Sequence, residues 1–313
     1  MKYIDLHTDA LTKTEGVLQV SRGLLEKGGC LLQCFAIFLE GPHKFERALR
    51  FAERFDAMCA EEGYHPVCKA SDIKKGEINA MLTLEDGGMF EGDLAKIEIL
   101  YHCGVRMATL TWNYPNELGY PNLRRYSKWK KGEVAPIAER EGERGLTRFG
   151  REVVQRMGEL GMIVDVSHGS DKLFFDVAKW SKAAKIPFVA SHSCAAKLCS
   201  RARNLTDEQI RTVADCGGVI GLNFCADFIG EDRSLEGQRT ALLAHARHVL
   251  KVGGEEVLAL GSDFDGIPEN PYMKNAAAMP ELLADFSRTF GEYITEKIAY
   301  KNALRVLRAG LGG

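Results

Sequence analysis

Short apolar segments recur along the chain, and most are followed by a longer segment in which apolar residues have helical spacing. Several short segments, such as MIVDVSH and VLALGSD, are apolar at consecutive rather than alternating positions. Such segments are typical of parallel strands that are covered on both faces of a sheet. Eight strands are predicted, at Tyr3–His7, Leu31–Leu39, Ile78–Leu84, Val105–Thr111, Met162–Ser167, Pro187–Ser191, Gly218–Phe224 and Val257–Gly261.

Amphipathic segments between these strands predict helices. Six are predicted, at His43–Glu62, Asp93–Cys103, Thr147–Gly161, Ser170–Ser181, Thr206–Cys216 and Leu235–Val252. The helix at Thr206 begins with TDEQ, in which Thr206 and Gln209 have the spacing of a capping box. Two further helices, at Pro280–Phe290 and Ile294–Arg308, follow the eighth strand.

The alternation of strands and helices predicts an α/β fold, a (β/α)8 TIM barrel with two extra C-terminal helices. The chain has 313 residues, which is a usual length for such a barrel. No linker or repeat divides the sequence, so we expect a single domain over residues 1–313. The irregular segment Asn113–Leu146 is rich in Gly, Pro, Arg and Tyr. Because long loops inside a compact domain are usually functional, we expect this one to overhang the site.

Composition and charge exclude several classes of protein. Hydrophobic residues make up 45% of the chain and charged residues 27%, as in ordinary globular proteins. The formal net charge of −2 gives no reason to expect nucleic acid or an anionic membrane as a partner. No apolar segment approaches the roughly 20 residues that a membrane span needs. No secretion or lipid-anchor signal is visible before the first strand, so we expect a cytoplasmic protein.

The nine cysteines form no CxxC pair, and their number is odd. The closest spacings are Cys30 with Cys34 and Cys194 with Cys199. Without an export signal, free and mostly buried thiols in a reducing compartment are the favoured interpretation. A structural zinc site built from these cysteines is the less favoured alternative.

Metal-capable side chains stand at the ends of five predicted strands, where TIM barrels carry their active sites. They are His7 and Asp9, Glu85 and Asp86, His168, His192, and Asp263 with Asp265. Each alone could be a satisfied polar residue, a helix cap or part of a turn. Their convergence on one rim is better explained by a metal site. The other histidines serve as controls: His43, His65 and His102 fall at helix ends or in loops, and we interpret His245 and His248 as a solvated helix face.

The number of candidate ligands points to two ions. Imidazole and carboxylate together suit zinc or a similar divalent ion. Three histidines and three or four carboxylates exceed what one tetrahedral catalytic ion uses. They match two ions that share a bridging carboxylate and activate a water between them.

The motifs that carry these residues resemble those of the membrane dipeptidase (renal dipeptidase) family, zinc metallopeptidases of the amidohydrolase-type barrels. The matching stretches, in the family's order between residues 5 and 266, are DLHTD, LTLEDGG, YHCGVRMATLTWN, VDVSHGS, SHSCAAKLCSRARNLTDEQI, GGVIGLNF and GSDFDG. NALRVLRA near the C-terminus fits as well. The resemblance therefore extends over nearly the whole chain.

The resemblance implies a dipeptidase with two Zn²⁺ per chain. The substrate would be a dipeptide with a free C-terminal carboxylate. Family members often tolerate a D-residue at the C-terminal position of the dipeptide. The family also implies a homodimer. In the implied ligand set, His7 and Asp9 hold one zinc, His168 and His192 hold the other, and Glu85 bridges the two.

Two further roles follow from the same resemblance. Asp263 would hold the bridging water and shuttle its proton, and Asp265 of the same GSDFDG motif is the alternative. Arg203 would bind the substrate carboxylate, and Arg201, two positions off the family pattern, is the alternative. Asp86 would not be a ligand.

Trp112 is a departure from the family pattern. Mammalian members carry a histidine after TLT, where this chain has Trp112. We expect Trp112 to form part of the substrate-binding wall, with no imidazole to assist the carbonyl.

Two other functions remain open from the sequence. A related barrel metallohydrolase could act on another amide, a lactone or a phosphoester. A non-catalytic protein could retain the barrel and bind a small peptide or metal. The presence of Asp263, which would handle the water, argues against the second alternative.

Overall fold

Eight parallel strands close into a barrel in the computed structural model, which describes residues 1–134 and 140–311. β1 pairs with β2 and β9, and β2 pairs with β4, which completes the ring. The barrel strands are β1 (Tyr3–Asp5), β2 (Cys30–Phe38), β4 (Asn79–Glu85), β5 (Val105–Thr109), β6 (Ile163–Asp165), β7 (Val189–Ser193), β8 (Val219–Leu222) and β9 (Leu258–Leu260). The two-residue β3 (His65–Pro66) pairs with β4 outside the ring. The predicted (β/α)8 barrel is therefore confirmed.

Helices follow the strands as the amphipathic pattern predicts. The structure has α1 (Arg22–Gly28), α2 (Lys44–Glu62), α3 (Leu94–His102), α4 (Tyr126–Lys130), α5 (Arg148–Leu160), α6 (Asp171–Ala184), α7 (Asp207–Asp215), α8 (Ala226–Ile229), α9 (Leu235–Gly253), α10 (Met279–Phe290), α11 (Glu292–Glu296) and α12 (Asn302–Gly310). A π-helical turn at Lys297–Lys301 joins α11 to α12, so the last predicted helix is a continuous segment with uneven winding. The sequence pattern missed α1, α4 and α8, because helices this short show too few turns for a period to be read.

Side-chain caps set several of these helix boundaries. The predicted capping box of α7 is present, with Thr206 accepting from the Gln209 backbone and Gln209 accepting from the Thr206 backbone. Thr147 caps α5 and Ser170 caps α6 in the same position. These caps satisfy backbone N–H groups that have no partner within the helix.

α12 covers the N-terminal end of the barrel. One buried apolar cluster includes a residue from every barrel strand, which only a cluster on the barrel axis is able to do. Several of its members, such as Ile163 and Val219, are the first residues of their strands. Val306 and Leu307 of α12 belong to the same cluster. With this end filled by side chains, the opposite end is left for a binding site.

The segment Asn113–Leu146 is only partly described, since residues 135–139 lie outside the described residues. Its described part contains α4 and two isolated bridges, Pro121 to Gly169 and Leu123 to Arg140. The single domain over residues 1–313 remains a prediction.

The nine cysteines all lie in the described ranges, where no disulfide joins them. Six are buried, at Cys30, Cys34, Cys59, Cys194, Cys199 and Cys225. This agrees with the expected free thiols. Within the same ranges, no helix combines the length and apolar character that crossing a membrane requires.

Candidate metal centre

The six residues predicted to hold metals or move a proton converge at the C-terminal rim of the barrel. They reach it from separate strands: His7 and Asp9 follow β1, Glu85 ends β4, His168 follows β6, His192 lies in β7 and Asp263 follows β9. Their ligand atoms form three overlapping groups, each within 4.8 Å. The groups are His7, Asp9 and Glu85; Glu85, His168 and His192; and His7, His192 and Asp263.

Glu85 lies at the centre, and its two oxygens face different imidazoles. Its Oε2 is 3.7 Å from Nε2 of His7. Its Oε1 is 2.9 Å from Nε2 of His168 and 3.4 Å from Nε2 of His192. This is the arrangement that a carboxylate shared between two cation sites requires.

Burial of several charges at one point shifts their pKa values. Desolvation raises the pKa of Glu85 well above its usual range, and the neighbouring Asp9 carboxylate raises it further. Burial alone would lower the pKa of His7, but Glu85 and Asp9 outweigh it and raise that pKa to about 10. Burial lowers the pKa of His168 and His192 well below the usual value. The buried carboxylates therefore favour a cation beside them. The imidazoles of His168 and His192 stay neutral, which leaves them able to bind a metal.

Orphaned polar atoms show that the site suits bound cations. Nε2 of His7 and Oδ1 of Asp9 are buried and have no hydrogen-bond partner among the described residues. Buried polar atoms in native proteins nearly always have a partner. Because nitrogen and carboxylate oxygen are both ligands of zinc-like divalent ions, the donor set fits such ions.

Two imidazoles are bound through Nδ1, the nitrogen away from the centre, by residues that the sequence pattern did not identify. Nδ1 of His168 is 2.9 Å from Oδ1 of Asn113. Nδ1 of His192 is 2.7 Å from Oγ of Ser191, whose hydroxyl donates to Asp165. Such contacts fix the ring orientation and leave Nε2 for a metal. Asn113 follows the TLTW stretch directly, but its sequence position gave no indication of this contact.

Asp263 has one oxygen bound and one directed at the centre. Its Oδ2 accepts a hydrogen bond of 2.8 Å from Nδ2 of Asn223, and its Oδ1 is 3.9 Å from Nε2 of His7. Desolvation raises the pKa of Asp263 to about 6. Its backbone has φ 63°, a left-handed conformation that Asp tolerates better than most residues. Asn223 is a second residue that sequence analysis missed.

Asp265, the alternative proton carrier, and Asp86, which was not expected to be a ligand, both bind groups other than the candidate ligands. Asp265 accepts hydrogen bonds from the backbone of Gln19 and Val20 and from Lys13, so it fastens the loop after β1. Asp86 accepts from Lys44 at 2.5 Å and from Asn116 at 2.6 Å. Neither belongs to the groups of candidate ligands.

Gly266 leaves room for the carboxylates of the centre. A Cβ at this position would lie 1.9 Å from Oδ2 of Asp9 and 2.8 Å from Oδ1 of Asp263. Any side chain here would therefore displace the candidate ligands.

A cavity of about 460 Å³ opens above the centre. Asp9, Glu85, His168 and Asp263 form its floor. The described part of the Asn113–Leu146 segment supplies Asn113, Leu123, Tyr126 and Trp129 to its walls, which agrees with the expected overhang.

Arg203 lines this cavity and is almost fully buried. Its guanidinium donates to the backbone carbonyls of Ser167 and His192 and packs over the ring of Phe228. Desolvation lowers the pKa of Arg203. Arg201 also lines the cavity, but it donates to the Asp227 carbonyl and to Glu231.

Trp112 lines the same cavity. Its ring centroid lies 6.3 Å from that of His168 and 4.7 Å from that of Phe38.

The interpretation of His245 and His248 as a solvated helix face is wrong for His245. This residue is fully buried, accepts from the Ala195 backbone at 3.1 Å and contacts the Ile229 carbonyl at 2.8 Å. Burial lowers its pKa to about 4. His248 pairs with Asp207 at 2.7 Å. The helical spacing of the two histidines could not reveal that α9 turns one of them toward the loop after β7.

Comparison with known proteins supplies a family. The sequence profile described as "Membrane dipeptidase (Peptidase family M19)" matches residues 2–310. An uncharacterised protein from the pqqA 5′ region of Klebsiella pneumoniae is 32% identical over 246 residues, covering 76% of this chain and 86% of that protein. An uncharacterised dipeptidase of Schizosaccharomyces pombe is 31% identical over 77% of this chain, which spans 52% of that relative.

Solved structures share the fold. A dipeptidase AC metallopeptidase of family M19 superposes with a TM-score of 0.87 at 24% identity, covering 100% of this chain and 99% of that one. A Rhodobacter sphaeroides metallopeptidase, solved with a phosphinate mimic of the dipeptide L-Ala-D-Ala, superposes with a TM-score of 0.84 at 22% identity. That superposition covers 99% of this chain and 99% of the Rhodobacter sphaeroides chain.

Proposed function

The chain belongs to the membrane dipeptidase family, peptidase family M19, and is a metallo-dipeptidase, and we propose that it is a binuclear zinc enzyme. The proposed reaction is hydrolysis of the peptide bond of dipeptides that have a free C-terminal carboxylate. Glu85 carries this proposal, because its two oxygens face separate imidazole groups.

In the proposed centre, His7 and Asp9 would hold one ion, His168 and His192 would hold the other, and Glu85 would contact both. Bound zinc ions supply Lewis acidity, which polarises the scissile carbonyl and lowers the pKa of water. Asn113 and Ser191 hold the imidazoles of His168 and His192 in orientations that suit this role.

Asp263 is the proposed proton carrier. Asn223 binds one of its oxygens, so the other is left to accept the proton of the attacking water. Asp263 then gives this proton to the nitrogen of the leaving amino acid.

Arg203 is the proposed partner of the substrate carboxylate. Arginine has five N–H donors in a planar fork, and two of its nitrogens are anchored on the carbonyls of Ser167 and His192. This anchoring fixes the guanidinium at the cavity wall, where the remaining donors would bind an anion. Trp112, which lines the cavity, would contribute an apolar surface to the substrate-binding wall rather than an imidazole to assist the carbonyl.

The solved relative with a phosphinate mimic of L-Ala-D-Ala supports including C-terminal D-residues in the proposed substrate range. A homodimer and a cytoplasmic location remain predictions from the resemblance and the sequence.

Elemental analysis of zinc-saturated protein, combined with an assay of amino-acid release from a dipeptide panel, tests the proposal. The panel contains L,L and L,D pairs. We expect two zinc ions per chain and cleavage of at least some dipeptides. One ion or none would contradict the binuclear centre. Cleavage of lactones or phosphoesters, with no dipeptide hydrolysed, would favour the other barrel metallohydrolases.

A further inference from the structure

Four aromatic residues form a continuous surface along one side of the cavity. Trp112 contacts Phe38 and Tyr126, with ring centroids 4.7 Å and 5.3 Å apart. Tyr126 in turn stacks on Trp129 at 5.6 Å with an interplanar angle of 27°. All four line the cavity. We call Phe38, Trp112, Tyr126 and Trp129 the aromatic wall.

α4 places half of this wall. Tyr126 and Trp129 are three residues apart, so they lie on one face of the helix. Both are half-buried, whereas Lys128 and Lys130 on the same helix are exposed. α4 therefore presents an aromatic face to the cavity and a basic face to solvent.

Phe38 lies across the rim from Arg203, whereas the other three rings of the aromatic wall come from the segment that follows β5, two strands from β7. Strand order in the ring places β2 four strands from β7, which is directly across the barrel. Phe38 ends β2, and Arg203 is on the loop that follows β7. A dipeptide whose carboxylate is bound by Arg203 and whose peptide bond lies at the metal centre therefore extends toward Phe38, and its N-terminal residue reaches Phe38 and the Trp112 ring that contacts it.

We propose that the aromatic wall selects dipeptides whose N-terminal residue has a large apolar or aromatic side chain. This inference rests on the proposed function. These rings, in tilted, edge-on and stacked contact, offer a continuous apolar surface. Burying a large apolar side chain of the substrate against it favours binding by roughly ten- to hundredfold. Aromatic faces also attract cations. A cationic N-terminal side chain is therefore the alternative occupant, and Lys-Ala is included among the substrates below to test it.

The first experiment compares kcat/KM for Phe-Ala, Lys-Ala, Ala-Phe and Ala-Ala on the zinc-loaded protein. We expect Phe-Ala to exceed Ala-Ala by at least tenfold and to exceed both Lys-Ala and Ala-Phe. In Trp129→Ala, the ratio of Phe-Ala to Ala-Ala should fall toward one. Both substrates are measured on the same preparation, so any loss of active protein cancels from the ratio. Lys128→Ala, on the exposed face of the same helix, is the matched control and should retain the wild-type ratio.

A binding measurement separates this inference from the proposed function. The chain has three tryptophans, and the third, Trp180, donates to Gln155 away from the cavity. In a Trp180→Phe, Asp263→Asn protein, the tryptophan emission therefore comes only from Trp112 and Trp129 of the aromatic wall. Phe-Ala should change this emission at a concentration at least tenfold lower than Ala-Ala does.

Three results would overturn the inference while leaving dipeptide hydrolysis intact. They are equal kcat/KM for Phe-Ala and Ala-Ala, a higher kcat/KM for Lys-Ala than for Phe-Ala, and equal binding of Phe-Ala and Ala-Ala in the titration. Failure to cleave any dipeptide would instead contradict the proposed function. In that case the fluorescence titration still decides whether the wall binds large apolar side chains.

Discussion

Single side chains of the centre owe their chemistry to the neighbours that hold them. Asn223 binds one oxygen of Asp263, and burial raises the pKa of that carboxyl to about 6. Carbonyls of Ser167 and His192 hold the Arg203 guanidinium at the cavity wall. Substitutions at these two positions therefore have distinct expected effects.

Asp263→Asn should retain most of the bound metal but lower kcat by roughly 10²- to 10⁴-fold, the usual cost of losing a general base. The amide has no oxygen basic enough to take the proton of the attacking water, whereas the imidazoles and Glu85 are unchanged. The measurement is kcat with one good dipeptide, alongside elemental analysis of the same sample.

Asp265→Asn is the comparison variant, because Asp265 binds backbone groups of the loop after β1 rather than the centre. If Asp263→Asn keeps near wild-type turnover while Asp265→Asn loses it, the proton carrier has been assigned to the wrong aspartate of GSDFDG.

Arg203→Ala should lower kcat/KM for a free dipeptide by roughly tenfold to several hundredfold, since a hydrogen bond to a charged group contributes about 1.5–3 kcal/mol. The same substitution should have little effect on the corresponding dipeptide amide, which offers no anion. The measurement is kcat/KM for both substrates on wild type and variant, analysed as a double-mutant cycle. If the effects of Arg203→Ala and of the amide simply add, Arg203 does not bind the substrate carboxylate. Arg201→Ala would then be the next variant to test.

At the scale of elements, contacts between loops fix the rim on which the centre stands. His245 of α9 accepts from the Ala195 backbone after β7 and contacts the Ile229 carbonyl at the end of α8. It thereby joins three elements on the side of the barrel that carries Arg203. Its imidazole is buried and neutral, which makes this junction sensitive to acid.

The sign of that sensitivity follows from the pKa of His245, which burial lowers to about 4 from an ordinary 6.5. Below pH 6.5 the unfolded chain takes up a proton that the folded chain refuses, so stability decreases as the pH falls from 6.5 toward 4. At about pH 4.5 the loss from this residue should be about 2–3 kcal/mol relative to pH 7.

Urea unfolding between pH 7 and pH 4.5 measures this loss. His245→Gln retains an amide that is able to hydrogen-bond but does not titrate, so its free energy of unfolding should fall less steeply than that of wild type. His102→Gln, at an exposed position, is the control. Parallel curves for wild type and His245→Gln would show that His245 is not responsible for any acid sensitivity.

At the scale of the whole molecule, the centre connects strands that are far apart in the sequence. Its candidate ligands come from β1, β4, β6 and β7, and Asp263 follows β9. Ions bound there would join these strands at the open end of the barrel, while α12 fills the other end with apolar side chains. Any species that binds only the folded state stabilises it by mass action.

Removal of metal by a chelator should therefore lower the Tm, and added zinc should restore it. Glu85→Gln should bind both ions weakly, because one carboxylate serves the two sites, so chelator should change its Tm much less. Elemental analysis and thermal unfolding of the same samples make the measurement. Two tightly bound ions in Glu85→Gln would contradict a shared carboxylate.

The barrel and the strand-end positions of its candidate ligands followed from the sequence. The physical reason is that the spacing of apolar residues along a segment determines whether a strand or a helix buries them. Parallel strands then bring their C-terminal ends to one rim. Residues such as His7 and Glu85 could be placed on that rim by this argument alone.

Only the tertiary structure decided what each polar side chain contacts. Asp263 and Asp265 are two residues apart, yet one faces the centre while the other binds Gln19, which is 246 positions away. His245 was misplaced, and Asn223 was missed, for the same reason. Local sequence patterns report the backbone, whereas the burial, charge and partners of a side chain depend on residues that meet it only when the barrel closes. The aromatic wall likewise exists only in the folded chain, because closure brings Phe38 beside Trp112.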